Sequence, residues 1–156
     1  MKIGVIGSSD CNAEEGRLAR KVGRLISEQG HILVCGGLGG VMEEASRGAF
    51  EEGGITVGVL PGESADSANE YVKIAVPTGM GVMRNALVVR FSDVLIAIGG
   101  WYGTLSEIAL ALNMGKTVVG LRTWKCSIND KKAEITRADS PEDAVEKALK
   151  AAGSSS

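Results

Sequence analysis

The fold is decided by one stretch of the chain, Val94-Leu-Ile-Ala-Ile-Gly-Gly-Trp-Tyr-Gly-Thr-Leu-Ser-Glu107. Its first five residues are all apolar, which predicts a buried strand. The apolar residues that follow, from Leu105 to Leu112, recur at helical spacing and predict a helix that begins near Thr104. The glycines between them let the backbone approach a ligand, and a helix start offers unpaired N–H groups. The stretch therefore predicts a strand–turn–helix unit whose turn binds an anion such as phosphate.

The rest of the chain repeats this alternation of strand and helix. Strands are predicted at Ile3–Ile6, His31–Cys35, Ile55–Leu60, Tyr71–Val76, Asp93–Ile98, Thr117–Leu121 and around Ile135. Helices are predicted before Gly30, over Val41–Phe50 and Met83–Phe91, after Thr104, and after the cap Ser140. Strands that are apolar on both faces imply a parallel sheet covered on both sides. We predict an α/β fold with a doubly wound, mostly parallel sheet of about six to seven strands, Rossmann-like and three-layered.

Length and composition limit the function classes. The 156 residues predict a single domain over residues 1–152 and a disordered tail over residues 153–156. Seventeen basic and 19 acidic residues leave a net charge of −2, which argues against nucleic acid or an anionic membrane as partner. No apolar run reaches the length of a membrane span, and the first one, Ile3–Ile6, is too short for a signal peptide.

The three cysteines, Cys11, Cys35 and Cys126, predict neither disulfides nor a metal site. Their number is odd and they contain no Cys-x-x-Cys pair, so a disulfide framework or a zinc site is disfavoured. A reducing cytoplasm is the expected location, with no metal bound by the protein.

Three small-residue turns follow predicted strands and should meet at the carboxyl edge of the sheet, where doubly wound folds bind ligands. They are Gly7-Ser8-Ser9, Gly36-Gly37-Leu38-Gly39-Gly40, and the turn that holds Gly99, Gly100 and Gly103. None has the Gly-x-Gly-x-x-Gly pattern of dinucleotide sites, and Gly115-Lys116-Thr117 is no P-loop because a strand follows it. The turns favour a phosphorylated ligand other than NAD, FAD or P-loop ATP.

Together with Thr78-Gly-Met-Gly-Val-Met-Arg-Asn85, these turns resemble the LONELY GUY (LOG)-like superfamily over roughly residues 3 to 121. That superfamily includes cytokinin nucleotide phosphoribohydrolases, proteins mislabelled lysine decarboxylases, molybdenum-cofactor carriers and DprA relatives. The enzymes carry Pro-Gly-Gly-x-Gly-Thr-x-x-Glu and an upstream Arg-Lys pair. Here Gly99 stands in place of the proline, Trp101 in place of the second glycine, and Asn85 in place of the lysine. The pattern looks closer to the uncharacterised and cofactor-carrier-like branch of the superfamily.

Arg84 and Glu107 should face one ligand. The helix after Met83 runs antiparallel to the next strand, so its first turn with Arg84 lies at the carboxyl edge, as does Glu107 in the first turn of the following helix. An arginine fork holds a phosphate bidentately, and a carboxylate orients water or stabilises an oxocarbenium-like ribose. In an enzyme these two residues would be catalytic.

Each of these residues also has an ordinary structural interpretation. Thr104 and Glu107 match a Thr-x-x-Glu capping box, and Arg84 is explained equally by a surface salt bridge. Asn85 fits an ordinary cap or surface residue, and the Gly36–Gly40 turn fits tight helix–strand packing. Trp101 either stacks on a base or pterin ring or covers the core. The roles of Trp124 and Cys126 stay undetermined.

Two functions therefore compete. The first is binding of a phosphorylated heterocycle, either a purine nucleotide or a molybdenum-cofactor-like pterin, with no cofactor required. The second is a phosphoribohydrolase that releases the base of a nucleoside 5′-monophosphate. A pyridoxal-dependent lysine decarboxylase is excluded because no motif supplies a Schiff-base lysine in a cofactor pocket. The predicted ligand-binding residues are Gly7, Ser8, Ser9, Gly36, Gly37, Gly39, Gly40, Met80, Arg84, Asn85, Gly99, Gly100, Trp101, Gly103 and Thr104.

A homo-oligomer, most simply a dimer, is also expected. The helices near residues 83–91 and 105–114 carry more apolar residues than one sheet face needs, and the resemblance implies dimers. These residues are Leu87, Val88, Phe91, Leu105, Ile108 and Leu112.

Overall fold

The computed structural model describes residues 1–153, so most of the predicted tail lies outside the described residues. The strands are β1 (Lys2–Gly7), β2 (Ile32–Cys35), β3 (Thr56–Leu60), β4 (Ile74–Pro77), β5 (Val94–Ile98), β6 (Val118–Leu121), β7 (Ser127–Ile128), β8 (Lys131–Lys132) and β9 (Ile135–Ala138). The helices are α1 (Ala13–Glu28), α2 (Val41–Glu51), α3 (Asn85–Phe91), α4 (Tyr102–Asn113) and α5 (Pro141–Gly153).

Seven strands form one parallel sheet in the order β4-β3-β2-β1-β5-β6-β9. The chain first steps outward from β1 to β4 and then returns to β5 on the other side of β1. This reversal places the topological switch point between β1 and β5, where Gly7 is in register with Ile98. The predicted α/β, doubly wound, Rossmann-like fold is confirmed.

The helices cover the sheet in two layers because the strands alternate their side chains between its faces. On β5, Ile96 and Ile98 face the core shared with α1, α2 and α5. Leu95 and Ala97 face the opposite core, which is shared with α3 and α4. Since both faces of the central strands are apolar, each layer of helices buries its own side of the sheet.

Several boundaries differ from the sequence predictions. The fourth strand is shorter than expected, because Tyr71 and Val72 belong to the loop in which Thr56 Oγ1 donates to the Tyr71 carbonyl at 2.6 Å. The irregular stretch after β6 contains a small hairpin of β7 and β8. The last helix begins as predicted, with Asp143 N donating to Ser140 Oγ at 3.1 Å, but Gly153 is its final residue rather than the residue beyond it.

Among residues 1–153, none of the helices combines the length and the apolar character needed to span a bilayer.

Candidate ligand-binding cleft

A cleft of about 290 Å³ opens at the carboxyl edge of the sheet, over the switch point between β1 and β5. This volume is at the lower end of the roughly 300–1,000 Å³ typical of small-molecule sites. Its walls come from the ends of β1 and β2, the turn before α3, and the first two turns of α4. The lining residues are Val5, Ile6, Gly7, Ser8, Ser9, Gly36, Leu38, Met42, Val82, Arg84, Asn85, Trp101, Gly103, Thr104 and Glu107.

Arg84 is a buried cation on the wall of this cleft. It closes a 3₁₀ turn over Gly81–Arg84 that leads into α3, and it is 8% exposed. Its Nη2 donates to the Gly36 carbonyl at 3.2 Å, while its Nε has no hydrogen-bond partner within residues 1–153. Burial lowers the pKa of Arg84, yet a guanidinium stays protonated at neutral pH. The interpretation of Arg84 as a surface salt-bridge residue is wrong, because the ion pairs within residues 1–153 do not include it.

Asn85 holds Arg84 in place. Its Oδ1 accepts a hydrogen bond from Nη1 of Arg84, and its Nδ2 donates to Ser106 Oγ of α4 at 3.3 Å. The side chain is 9% exposed, so the alternative that Asn85 is an ordinary surface residue is wrong. Asn85 therefore links the arginine to the helix on the other side of the cleft.

Glu107 is buried, and the pKa of its carboxyl differs strongly from the ordinary value of a glutamate. Burial raises the pKa of Glu107 to about 8, against the opposing pull of the Arg84 charge. The carboxyl is therefore largely protonated at pH 7, and no ion pair joins it to Arg84 among the described residues. With Arg84 charged and Glu107 neutral, the cleft carries a net positive charge that suits an anion.

The start of α4 faces the same space. Trp101 is its N-cap residue and gives no side-chain cap, and the first bond of the helix runs from Leu105 N to the Trp101 carbonyl at 2.9 Å. The N–H groups of the first turn, at Tyr102, Gly103 and Thr104, thus have no partner within the helix. Thr104 is 2% exposed, and in the described part of the chain its Oγ1 has no hydrogen-bond partner.

The predicted capping box of Thr104 and Glu107 is wrong. Thr104 is the third residue of α4 rather than the residue before it, so its hydroxyl cannot cap the first turn. The described part of the chain forms a capping box at α1 instead, where Asn12 and Glu15 bond each other's backbone N–H. Both residues line the cleft, and Thr104 Oγ1 has no hydrogen-bond partner among residues 1–153.

Gly99 gives the turn a backbone conformation that proline cannot adopt. Its φ is +51°, whereas the proline ring requires a φ near −65°. A Cβ at this position would also lie 2.2 Å from Oε1 of Glu15. The turn at position 99 therefore requires a residue that tolerates a positive φ, which proline does not.

Trp101 lies at the mouth of the cleft, in contact with two other aromatic residues. Its ring centroid is 4.7 Å from that of Tyr102 and 6.1 Å from that of Trp124. Trp101 is 63% exposed, so the alternative that it covers the core is wrong. Trp124, whose role the sequence left open, packs against the core and supports this aromatic group.

Not every predicted binding residue reaches the cleft. The structure brings together Gly7, Ser8, Ser9, Gly36, Arg84, Asn85, Trp101, Gly103, Thr104 and Glu107, whereas Gly37, Gly39, Gly40, Met80, Gly99 and Gly100 lie outside its lining. Gly37 and Gly40 allow close packing instead. A Cβ on Gly37 would lie 2.6 Å from Leu60 Cδ2, and a Cβ on Gly40 would lie 2.3 Å from the Ser8 carbonyl oxygen.

Apolar residues complete the lining and were missed by sequence reasoning, because each resembles any core residue in a strand, turn or helix. They are Val5, Ile6, Leu38, Met42 and Val82. Among the described residues, no group of three or more His, Cys, Asp and Glu is placed to hold a metal ion.

Comparison with known proteins gives a consistent set of relatives. The model of the SLOG cluster4 family matches residues 1–148. An uncharacterized protein of Archaeoglobus fulgidus is 50% identical over 122 residues, which is 78% of this chain and 80% of that protein.

Two similar solved structures have named ligands or roles. The molybdenum cofactor binding protein of Rippkaea orientalis is 36% identical with a TM-score of 0.87, over 96% of this chain and 95% of that one. The molybdenum cofactor carrier protein of Chlamydomonas reinhardtii is 33% identical with a TM-score of 0.84, over 97% of this chain and 98% of that one.

Proposed function

The chain belongs to the SLOG cluster4 family, and we propose that it binds a phosphorylated pterin of the molybdenum-cofactor type in the cleft between the ends of β1 and β5. The molybdenum would enter as part of the bound cargo. Solved structures similar along nearly the whole chain are of proteins that bind or carry this cofactor, which supports a pterin over other phosphorylated heterocycles.

The observation that carries the proposal is that buried polar atoms on the wall of the cleft lack hydrogen-bond partners. Arg84 is a buried cation, and within residues 1–153 neither its Nε nor the buried Thr104 Oγ1 has a hydrogen-bond partner. Such groups cost free energy unless a ligand satisfies them. An anion beside Arg84 and over the first turn of α4 would satisfy the guanidinium, the hydroxyl and the free N–H groups together.

The remaining groups suit a polar ring more than a sugar undergoing hydrolysis. A protonated Glu107 is a hydrogen-bond donor, and the carbonyl and ring nitrogens of a pterin are acceptors. A phosphoribohydrolase would use Glu107 as a carboxylate, either as a base or as a stabiliser of cationic ribose, whereas burial shifts the pKa of Glu107 in favour of the protonated form. The similar structures of known role are of proteins that bind or carry molybdenum cofactor, which supports the binding function over the hydrolase.

The test is recovery of the ligand from a host that makes molybdenum cofactor. Protein purified under reducing, anaerobic conditions is denatured, and the extract is analysed by mass spectrometry for phosphorylated pterins and by elemental analysis for molybdenum. Wild-type protein should carry pterin, and Arg84→Met should lose most of it because the buried charge is removed while the bulk stays. Arg90→Met is the matched control, since Arg90 is an exposed residue of α3.

A nucleotide in the extract, with no pterin, would contradict the pterin assignment. Base release from AMP by the wild-type protein, lost in Glu107→Gln, would instead establish the hydrolase. Equal pterin content in Arg84→Met and wild type would remove Arg84 from the site.

We also propose that the protein acts in the cytoplasm as a homo-oligomer joined through α3 and α4. The thiols of Cys11, Cys35 and Cys126 are free, which suits a reducing compartment. Phe91 at the end of α3 is exposed, and Leu105 of α4 is half-buried, so apolar surface remains on this layer.

A further inference from the structure

Aromatic side chains are scarce in this chain, yet they gather at the mouth of the cleft. Of its two Trp, two Tyr and two Phe, Trp101, Tyr102 and Trp124 have ring centroids within 6.2 Å of one another. Trp101 is 63% exposed and Tyr102 is 65% exposed. A cluster that served only the core would bury these rings, because their apolar area is large.

The Trp101 ring is exposed but held in position. The Trp101 carbonyl accepts hydrogen bonds from Nε1 of Trp124 at 3.2 Å and from Leu105 N at 2.9 Å. Trp124 in turn packs against the core. The backbone of Trp101 is thus held by two hydrogen bonds. Less conformational entropy is then lost when a ligand binds against the ring.

The ring also shares the cleft with the groups for the anion. Trp101, Arg84 and Thr104 line the same cavity, whose volume suits one small molecule. This juxtaposition favours a small ligand over a protein surface as the occupant of the aromatic face.

We propose that Trp101 is the stacking face that selects ligands with a planar conjugated ring, and that Tyr102 and Trp124 hold it in place. This proposal rests on the proposed function for the site that binds the phosphate. It adds that the ring of the ligand is recognised by stacking on Trp101. A phosphate ester without a ring would use Arg84 and the start of α4 alone. One with a ring would gain stacking on Trp101 as well.

The experiment compares three probes by calorimetric titration: 6-hydroxymethyl-7,8-dihydropterin diphosphate, AMP, and ribose 5-phosphate, which has no ring. Trp101→Ala should weaken binding of the two ring-bearing probes by about tenfold, equal to about 1.4 kcal/mol. Binding of ribose 5-phosphate should be unchanged. Trp101→Phe should restore most of the lost affinity, since a phenyl ring still stacks.

Phe50→Ala is the matched control, because Phe50 is a half-exposed aromatic residue of α2 that does not line the cleft. It should leave all three affinities unchanged. Tryptophan fluorescence of the wild type should be quenched by the ring-bearing probes and not by ribose 5-phosphate, and Trp101→Phe should lose this quenching.

The outcomes separate this proposal from the proposed function. If wild-type protein binds AMP but no pterin, the proposed function fails while the stacking role is judged on AMP. If Trp101→Ala weakens ribose 5-phosphate as much as the ring-bearing probes, or changes none of them, the stacking role is overturned. Absence of binding of every probe by the wild type overturns both.

Discussion

Glu107 is the residue whose charge depends most on the fold. Its pKa rises from the ordinary 4.5 to about 8 because it is buried, so the folded protein holds a proton that the unfolded chain releases above pH 4.5. The contribution of Glu107 to the free energy of unfolding is therefore fully present below pH 4.5. It is lost as the pH rises through 8. The loss has a limiting slope of about 1.4 kcal/mol per pH unit in that window.

Glu107→Gln removes this pH dependence because an amide does not titrate. We expect the free energy of unfolding of the wild type to fall relative to that of the variant by a few kcal/mol between pH 5 and pH 8.5. Urea unfolding of both proteins across this range measures the difference. Parallel pH profiles would show that the carboxyl is not buried as a neutral acid.

Arg84 and Asn85 should behave as one unit in ligand binding. Asn85→Ala removes the acceptor that orients the guanidinium, so phosphate-ester affinity should fall about tenfold in the wild-type background. In the Arg84→Met background the same change should have almost no effect, because the group that Asn85 orients is gone. Calorimetric titration of the four proteins gives the coupling directly, and additive losses would mean that Asn85 acts independently of Arg84.

At the scale of elements, the start of α4 is the element that the proposed ligand would contact. Gly103 lies in the first turn of this helix and lines the cleft, and a Cβ there would come only within 3.7 Å of Nδ2 of Asn85. The position therefore has room for a side chain in the folded protein, at the expense of the space that the ligand needs.

Gly103→Val should abolish anion binding without unfolding the protein. Its branched side chain would cover the free N–H groups of α4, while ordinary contact distances leave the fold intact. Thermal unfolding and titration with AMP or sulfate measure the two effects, with Gly103→Ala as an intermediate control. Retained affinity in the valine variant would place the anion elsewhere.

At the scale of the whole molecule, the layer of α3 and α4 combines core and surface duties. Val88 and Ile108, expected at an interface, are buried in the core of the same chain. Leu87, Leu105 and Leu112 are half-buried, so they and Phe91 are the residues of the predicted set with apolar area left for a partner.

Phe91→Glu should convert the proposed dimer into a monomer, since a charge in the centre of an apolar interface is desolvated without a partner. Light scattering at micromolar concentration measures the mass of wild type and variant. The exposed Ile128→Glu, on the β7–β8 hairpin, serves as the control and should keep the wild-type mass. A monomeric wild type would contradict the proposal.

Local patterns in the sequence were enough to predict the layered parallel sheet. An apolar run such as Val94–Ile98 predicts a strand that is buried on both faces. The spacing of Leu105, Ile108 and Leu112 has the helical period. Each of these elements is therefore predictable from residues close together in the sequence. The same reasoning predicted that Arg84 and Glu107 share the carboxyl edge, because connection rules place both helix starts there.

Only the tertiary structure decided what these side chains do at that edge. The raised pKa of Glu107, the burial of Arg84 and the exposure of Trp101 all depend on how residues distant in sequence pack around these side chains. Gly36 from the end of β2 and Ser106 from α4 complete the hydrogen bonds of the Arg84–Asn85 pair, across 48 and 21 positions of the chain. Burial and long-range contact determine charge state and orientation, and a local pattern contains neither.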